Sequence, residues 1–180
     1  MRYIPDFMKR LSVFALSLFT DRQHTSALWP QFSHIVGLQQ KVLEEALRPW
    51  YGFHRKGVTV VDLHNNPIRF FGVAYPGRPQ RLFWEAYMLP LLEEALKTAV
   101  RQCVAAMETK TDNPQYQLEV QELLKALIRH ILAEIARTDA LLRGPQARRR
   151  NITALVSHYD NWMQERLQQE AKNPAENRVL

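Results

Sequence analysis

One cysteine, Cys103, stands in a chain of 180 residues, so neither an intrachain disulfide nor a zinc cluster of the CxxC kind can be built from it. A secreted disulfide scaffold is thereby excluded, and a reducing, cytoplasmic setting is the expectation. Glycine is scarce at 6 residues, and no GxxxxGK[ST] phosphate loop, GxGxxG turn, HExxH, GxSxG or EF-hand loop occurs. Nucleotide hydrolysis on a Walker site and common zinc proteolysis lose their basis, and no cofactor or metal is expected. Long hydrophobic runs are missing too. The most apolar stretch, Leu11 to Phe19, is far shorter than the roughly 18 apolar residues of a spanning helix, so no transmembrane segment is expected.

What is present is the composition of a core-forming chain: 46% hydrophobic and 23% charged residues, which rules out disorder as the whole answer. The length suits one domain over residues 1–180, with 173–180 expected to be a loose tail. Lys and Arg total 24 against 18 Asp and Glu, a net charge of +6, which favours anionic partners.

The N-terminus sets Arg2, Lys9 and Arg10 ahead of the apolar stretch, an arrangement shared with signal peptides. Asp6 and the weak, distant cleavage candidate Thr25-Ser26-Ala27 count against that reading. As a helix, this segment gathers Phe7, Met8, Leu11, Phe14, Ala15, Leu18 and Phe19 on one face. The expectation is a helix packed in the core or against another subunit, ahead of a membrane-surface helix or a signal.

Prolines punctuate the rest, because each lacks an amide donor and disfavours helix in the residue before it. From Ser33 to Pro49 the residues Ile35, Val36, Leu38, Val42, Leu43, Ala46, Leu47 and Trp50 share a broad apolar face. Two β-branched or aromatic runs around Asn65-Asn66-Pro67 predict a β-hairpin over about 57–74. Leu82 to Met107 has helical periodicity interrupted by Pro90, which either kinks one helix or opens a second. Asp112 or Asn113 caps a helix that begins at Pro114, runs to Leu142 and stops at Gly144-Pro145. A last helix begins near Asn151. The expected fold is mostly α: an antiparallel bundle of about five helices, with the hairpin between the second and third.

Two pairs could carry acid–base chemistry. His130 and Glu134 lie one helical turn apart, able to share a proton or a metal ion, with Glu134 at the border of the apolar stripe. Two ligands are too few for a metal site, so an ion pair of Glu134 with Arg137 or a hydrogen bond to a neighbouring helix is the stronger expectation. Asp62 and His64 share one hairpin face, with His54 upstream; Asp can orient an imidazole, yet a pocket and a third group are required. Polar residues near an exposed turn are the simpler account. Glu85 falls on the apolar side of a continuous helix and is expected to pair with a base near the hairpin. Cys103 reads as an inert packed thiol.

The charge distribution is the sharpest signal. Residues 51–81 carry Arg55, Lys56, Arg69, Arg78 and Arg81 against Asp62 alone, interleaved with Tyr51, Phe53, Phe70, Phe71 and Tyr75 and led by Trp50. Arg143, Arg148, Arg149 and Arg150 stand unopposed in residues 143–150. Cations neutralise phosphates and exposed aromatics stack on bases, and the free amides at the start of the last helix also favour anions. The leading expectation is a non-enzymatic binding or regulatory protein that contacts an anionic partner, nucleic acid or an acidic protein surface, through Arg55, Lys56, Arg69, Tyr75, Arg78, Arg81 and the four arginines at 143–150. The alternatives are an enzyme with a His/carboxylate site, or an assembly protein that forms a homo-oligomer through its N-terminal helix or its hairpin edge.

Overall fold

The longest apolar stripe of the sequence, between Asn113 and Gly144, forms the spine of the structure. We describe residues 26–52, 57–70, 82–107, 113–144 and 148–172 of a computed structural model. The N-terminal amphipathic segment, His54, the basic positions Arg55, Lys56, Arg78 and Arg81, the aromatic Tyr75 and the tail 173–180 lie outside the described residues. In chain order the elements are helix α1 (Trp29–Leu47), a 3-10 turn (Arg48–Gly52), strands β1 (Val58–Val61) and β2 (Pro67–Phe70), a π-helical segment (Leu82–Met88), and helices α2 (Leu89–Met107), α3 (Pro114–Arg143) and α4 (Thr153–Lys172).

The 30 residues of α3 make a rod of about 45 Å at ~1.5 Å per residue. Its start is fixed by Asn113, whose side chain accepts from the amide of Gln115 at 3.0 Å, with Pro114 in the first turn, where a missing amide costs no intrahelical bond. Its end is fixed by Gly144, at φ +113°, a conformation that an L side chain would strain. The residues at helical spacing along it, Val120, Leu124, Leu127, Ile128, Ile131, Ile135 and Leu142, are all buried. Helices α1, α2 and α4 all pack on α3, and α2 also meets α1 and α4.

Proline positions explain the boundaries of the other helices. Helix α1 starts at Trp29 rather than Ser33 because Pro30 is accommodated in its first turn, and it ends at Leu47, two residues before Pro49. The broad face read from the sequence is narrower in the fold: Phe32, Ile35, Val36, Leu43 and Leu47 are buried, whereas Leu38 and Val42 are about half exposed. Ahead of Pro90, residues 82–88 adopt i→i+5 geometry before the α-helix proper begins. Pro90 has no amide to offer the Ala86 carbonyl, and the wider turn accommodates that loss. Glu85, on the apolar side of a regular α-wheel, is turned outward and exposed.

The hairpin pairs β1 and β2 antiparallel, with Val58 opposite Phe70 and Val60 opposite Ile68. Its buried face is Val58, Val60 and Ile68; Thr59, Val61 and Arg69 look outward. The 3-10 turn carries Trp50 into the core, where its ring lies 4.7 Å from Phe83 and 5.5 Å from Tyr87. This contact seats the hairpin end of the molecule on the bundle. Four α-helices are present among the described residues, against the expected five, the remaining one being the N-terminal segment outside them. The class is as expected: a mostly helical bundle with one two-stranded hairpin. No helix among the described residues is long and apolar enough to cross a membrane.

Truncation on the spine should separate core from surface. Leu124→Ala, at a fully buried position, should cost about 2–5 kcal/mol of unfolding free energy in urea, whereas Leu141→Ala, at a position 47% exposed, should stay within about 0.5 kcal/mol.

Candidate functional site: the arginine loop and the polar seam

The arginine cluster is organised around one carboxylate. Asp139 is wholly buried on α3, four residues after Ile135 and three before Leu142, squarely on the apolar stripe. Ionised, it needs partners, and the loop supplies them. Arg143, one turn on, donates its Nε to Asp139 Oδ2 at 3.0 Å and brings Nη2 to 3.0 Å of the same oxygen. Arg150 approaches that oxygen with Nε at 3.4 Å, while Asp139 Oδ1 has no hydrogen-bond partner among the described residues.

Two further contacts fix the loop. Arg143 Nη2 donates to the carbonyl of Arg148 at 2.6 Å, so a single guanidinium bridges the buried carboxylate and the loop backbone. Arg150 lies over the Trp84 ring, 5.7 Å from its centroid, a favourable cation–π separation. The Asn151 side chain then accepts from the amide of Thr153 at 2.9 Å and starts α4. The four arginines therefore differ in work. Arg143 and Arg150 serve the clamp, whereas Arg148 and Arg149 are exposed and form no ion pair among the described residues.

Arg69 is exposed on the outer face of the hairpin, opposite Thr59. Trp50 is part of the core rather than an exposed stacking surface. The end of the 51–81 segment enters the described fold at the π-helical turn that carries Trp84, the residue under Arg150.

The four residues of the two candidate acid–base pairs all lie among the described residues. Asp62 Oδ1 accepts from the backbone amides of His64 and Asn66, both at 2.8 Å, and its Oδ2 from the Asn66 side chain at 3.1 Å. The bond from His64 thus comes from its backbone, and the geometry is that of a side-chain-closed turn with Asn65 at φ 62°. The amide bonds from Asn66 hold the Asp62 carboxyl below its ordinary value. His130 Nε2 meets Glu44 Oε1 of α1 at 3.2 Å, and Gln40 donates to that same oxygen at 2.7 Å. Glu134 accepts from Arg137 at 3.4 Å. Tyr51 completes this seam between α1 and α3: burial pushes its hydroxyl up to about 12, with the Glu134 charge adding to the effect. No cluster of three or more metal-type ligands exists among the described residues. The His130–Glu44 contact ties α3 to α1.

A second buried carboxylate, Glu119, lies near the other end of α3. It accepts from the Ser26 amide at 2.7 Å, from the Ser26 hydroxyl and from Gln115 Nε2 at 3.2 Å. Neither Glu119 nor Asp139 figured in the sequence reading. The signal available was a charged residue at core spacing, with Asp139 followed by Arg143 at i+4.

The chain matches no protein-family model, no curated protein and no solved structure.

Asp139→Asn removes a buried carboxylate charge that faces two partly exposed guanidinium groups and should cost about 1–3 kcal/mol by denaturant titration. Alkaline pH should also destabilise the fold. Cys103 and Tyr159 are pushed up to about 12 chiefly by burial, as is Tyr51. In the unfolded chain these groups lose their protons near their ordinary values of 9.0 and 10.0. Between those values and about 12 the folded state binds more protons, so stability falls as pH rises through that window. Cys103→Ser should reduce the fall between pH ~9 and ~10 in a series of urea melts.

Proposed function

We propose that this protein is a non-enzymatic binding or regulatory protein that contacts an anionic partner, nucleic acid, through the 148–150 loop and the basic hairpin region. The carrying observation is the division of labour at Asp139. A flexible run of arginines would lose side-chain and backbone freedom on binding. Here the loop backbone is tied to Arg143, and Arg143 to a buried carboxylate, so Arg148 and Arg149 are offered to a partner from a fixed base. Phosphate recognition rewards such preorganisation, because the guanidinium fork matches phosphate geometry.

The contact between Arg150 and Trp84 ties the loop to the π-helical segment that opens at Leu82. Arg69, outward on the hairpin, adds charge of the same sign. Cytoplasmic location agrees with a single cysteine that is buried and free and belongs to the same proposal.

The test is titration of nuclease-treated protein with labelled single- and double-stranded DNA and RNA across a salt series. Binding should weaken steeply with salt, and Arg148→Ala with Arg149→Ala should weaken it across all sequences and lower the log–log salt slope by about 2, at ~1 per lost phosphate contact. Salt-insensitive binding, or none at low salt, overturns the proposal and points to an acidic protein surface or to solubility as the use of the charge.

A further inference from the structure

Trp84 is 4% exposed, yet its indole N–H has no hydrogen-bond partner among the described residues. A buried donor left unmatched costs stability, and a phenylalanine would fill an apolar setting without that cost. Packing alone therefore gives no reason for tryptophan here. What the indole offers beyond a phenyl ring is the best aromatic face for a cation, and the Arg150 guanidinium lies over it, 5.7 Å from the centroid.

The ring is itself firmly seated. Phe83 meets it edge-on at 6.4 Å, and Phe83 packs in turn on Trp50 at 4.7 Å, which also meets Tyr87 at 5.5 Å. All of these side chains are buried. The i→i+5 turn over residues 82–88 sets Trp84 in this group while the adjacent Glu85 is exposed.

We infer that Trp84 is a positioning residue of the arginine loop: its ring holds Arg150, and through Arg150 it fixes the backbone from which Arg148 and Arg149 reach phosphates. For its partner this inference rests on the nucleic-acid reading above; for the loop it rests on the contacts alone. The loop has a support at each end. Arg143 takes the Arg148 carbonyl at 2.6 Å, while Trp84 and Asp139 hold the Arg150 side chain. Arg149 stands between the two fixed points. With the second support weakened, the loop is tied at one end, and a partner has to order it on binding. Trp84 itself meets no phosphate, so its loss lowers affinity without removing a phosphate contact.

The test compares Trp84→Phe and Trp84→Leu with the parent full chain, at a temperature where all are folded, with Leu124→Ala as the control for lost core stability. The first readout needs no partner: limited trypsin cleavage after Arg148 and Arg149, with fragments identified by mass. Cleavage should be slowest in the parent, faster in Trp84→Phe and fastest in Trp84→Leu, by roughly three- to tenfold at the extreme. The second readout is affinity for labelled double-stranded DNA across a salt series. Affinity should fall in the same order, while the log–log salt slope stays within ~0.5 of the parent because no phosphate contact is lost. Leu124→Ala should leave both readouts close to the parent. Loop cleavage unchanged in Trp84→Leu, or accelerated as much by Leu124→Ala, overturns the inference, as does unchanged affinity of Trp84→Leu where the parent binds. If the parent binds no nucleic acid, the function proposed above fails, while graded cleavage still upholds Trp84 as the anchor of the loop.

Discussion

Burial of two carboxylates on a helix whose buried face is mostly apolar is the constraint on which the rest of the structure depends. Helix α3 touches every other helix of the bundle, and it carries Glu119 and Asp139 on its buried side. Twenty residues separate them, about 30 Å along the axis at ~1.5 Å per residue. Each is tolerable only with donors brought to it. Glu119 takes them from Ser26, ahead of α1; Asp139 takes them from Arg143 and Arg150, ahead of α4. The two charges thus fix where the chain enters its first and last described helices.

This division also changes the meaning of the basic residues. A +6 chain can use its charge for solubility alone, and surface cations contribute little to stability. Arg143 and Arg150 are different, because their partner is a buried carboxylate and one of them also stacks on Trp84. The energy that holds the loop comes from the requirements of Asp139, which leaves Arg148 and Arg149 exposed. The seam formed by Glu44, Tyr51, His130, Glu134 and Arg137 does a related task between α1 and α3, joining two helices through half-buried polar groups.

Much of the fold was legible in the sequence because its signals are local. Asn113-Pro114 and Gly144 mark the ends of α3, the 3.6-residue stripe marks its buried face, and the turn cluster at Asn65-Asn66 marks the hairpin. The errors arise where tertiary context decides. Leu38 and Val42 share a helical face with Ile35 and Leu43, yet only the latter pair is buried, and periodicity alone has no means of choosing. The i→i+5 turn before Pro90 rotates Glu85 outward, which a regular wheel cannot foresee. In the candidate site, charge counting located the 143–150 loop but treated its four arginines as equivalent. Their difference depends on Asp139, whose burial is a property of the packed bundle, and on Trp84, more than sixty positions away in the chain. The expected link from Glu134 to Arg137 is present, since an i,i+3 pair is set by helix geometry; the link from His130 to Glu44 needed the packing of α1 on α3.

The most direct measurement is the nucleic-acid affinity of Asp139→Asn, compared with the parent protein at low salt and at a temperature where both are folded by circular dichroism. The substitution removes a negative charge and releases two arginines, so an account based on net charge alone requires tighter binding. If the buried carboxylate instead sets the loop that offers Arg148 and Arg149, affinity falls despite the added positive charge. Weaker binding by the variant is the result predicted here; equal or tighter binding would contradict the clamp as the basis of the site.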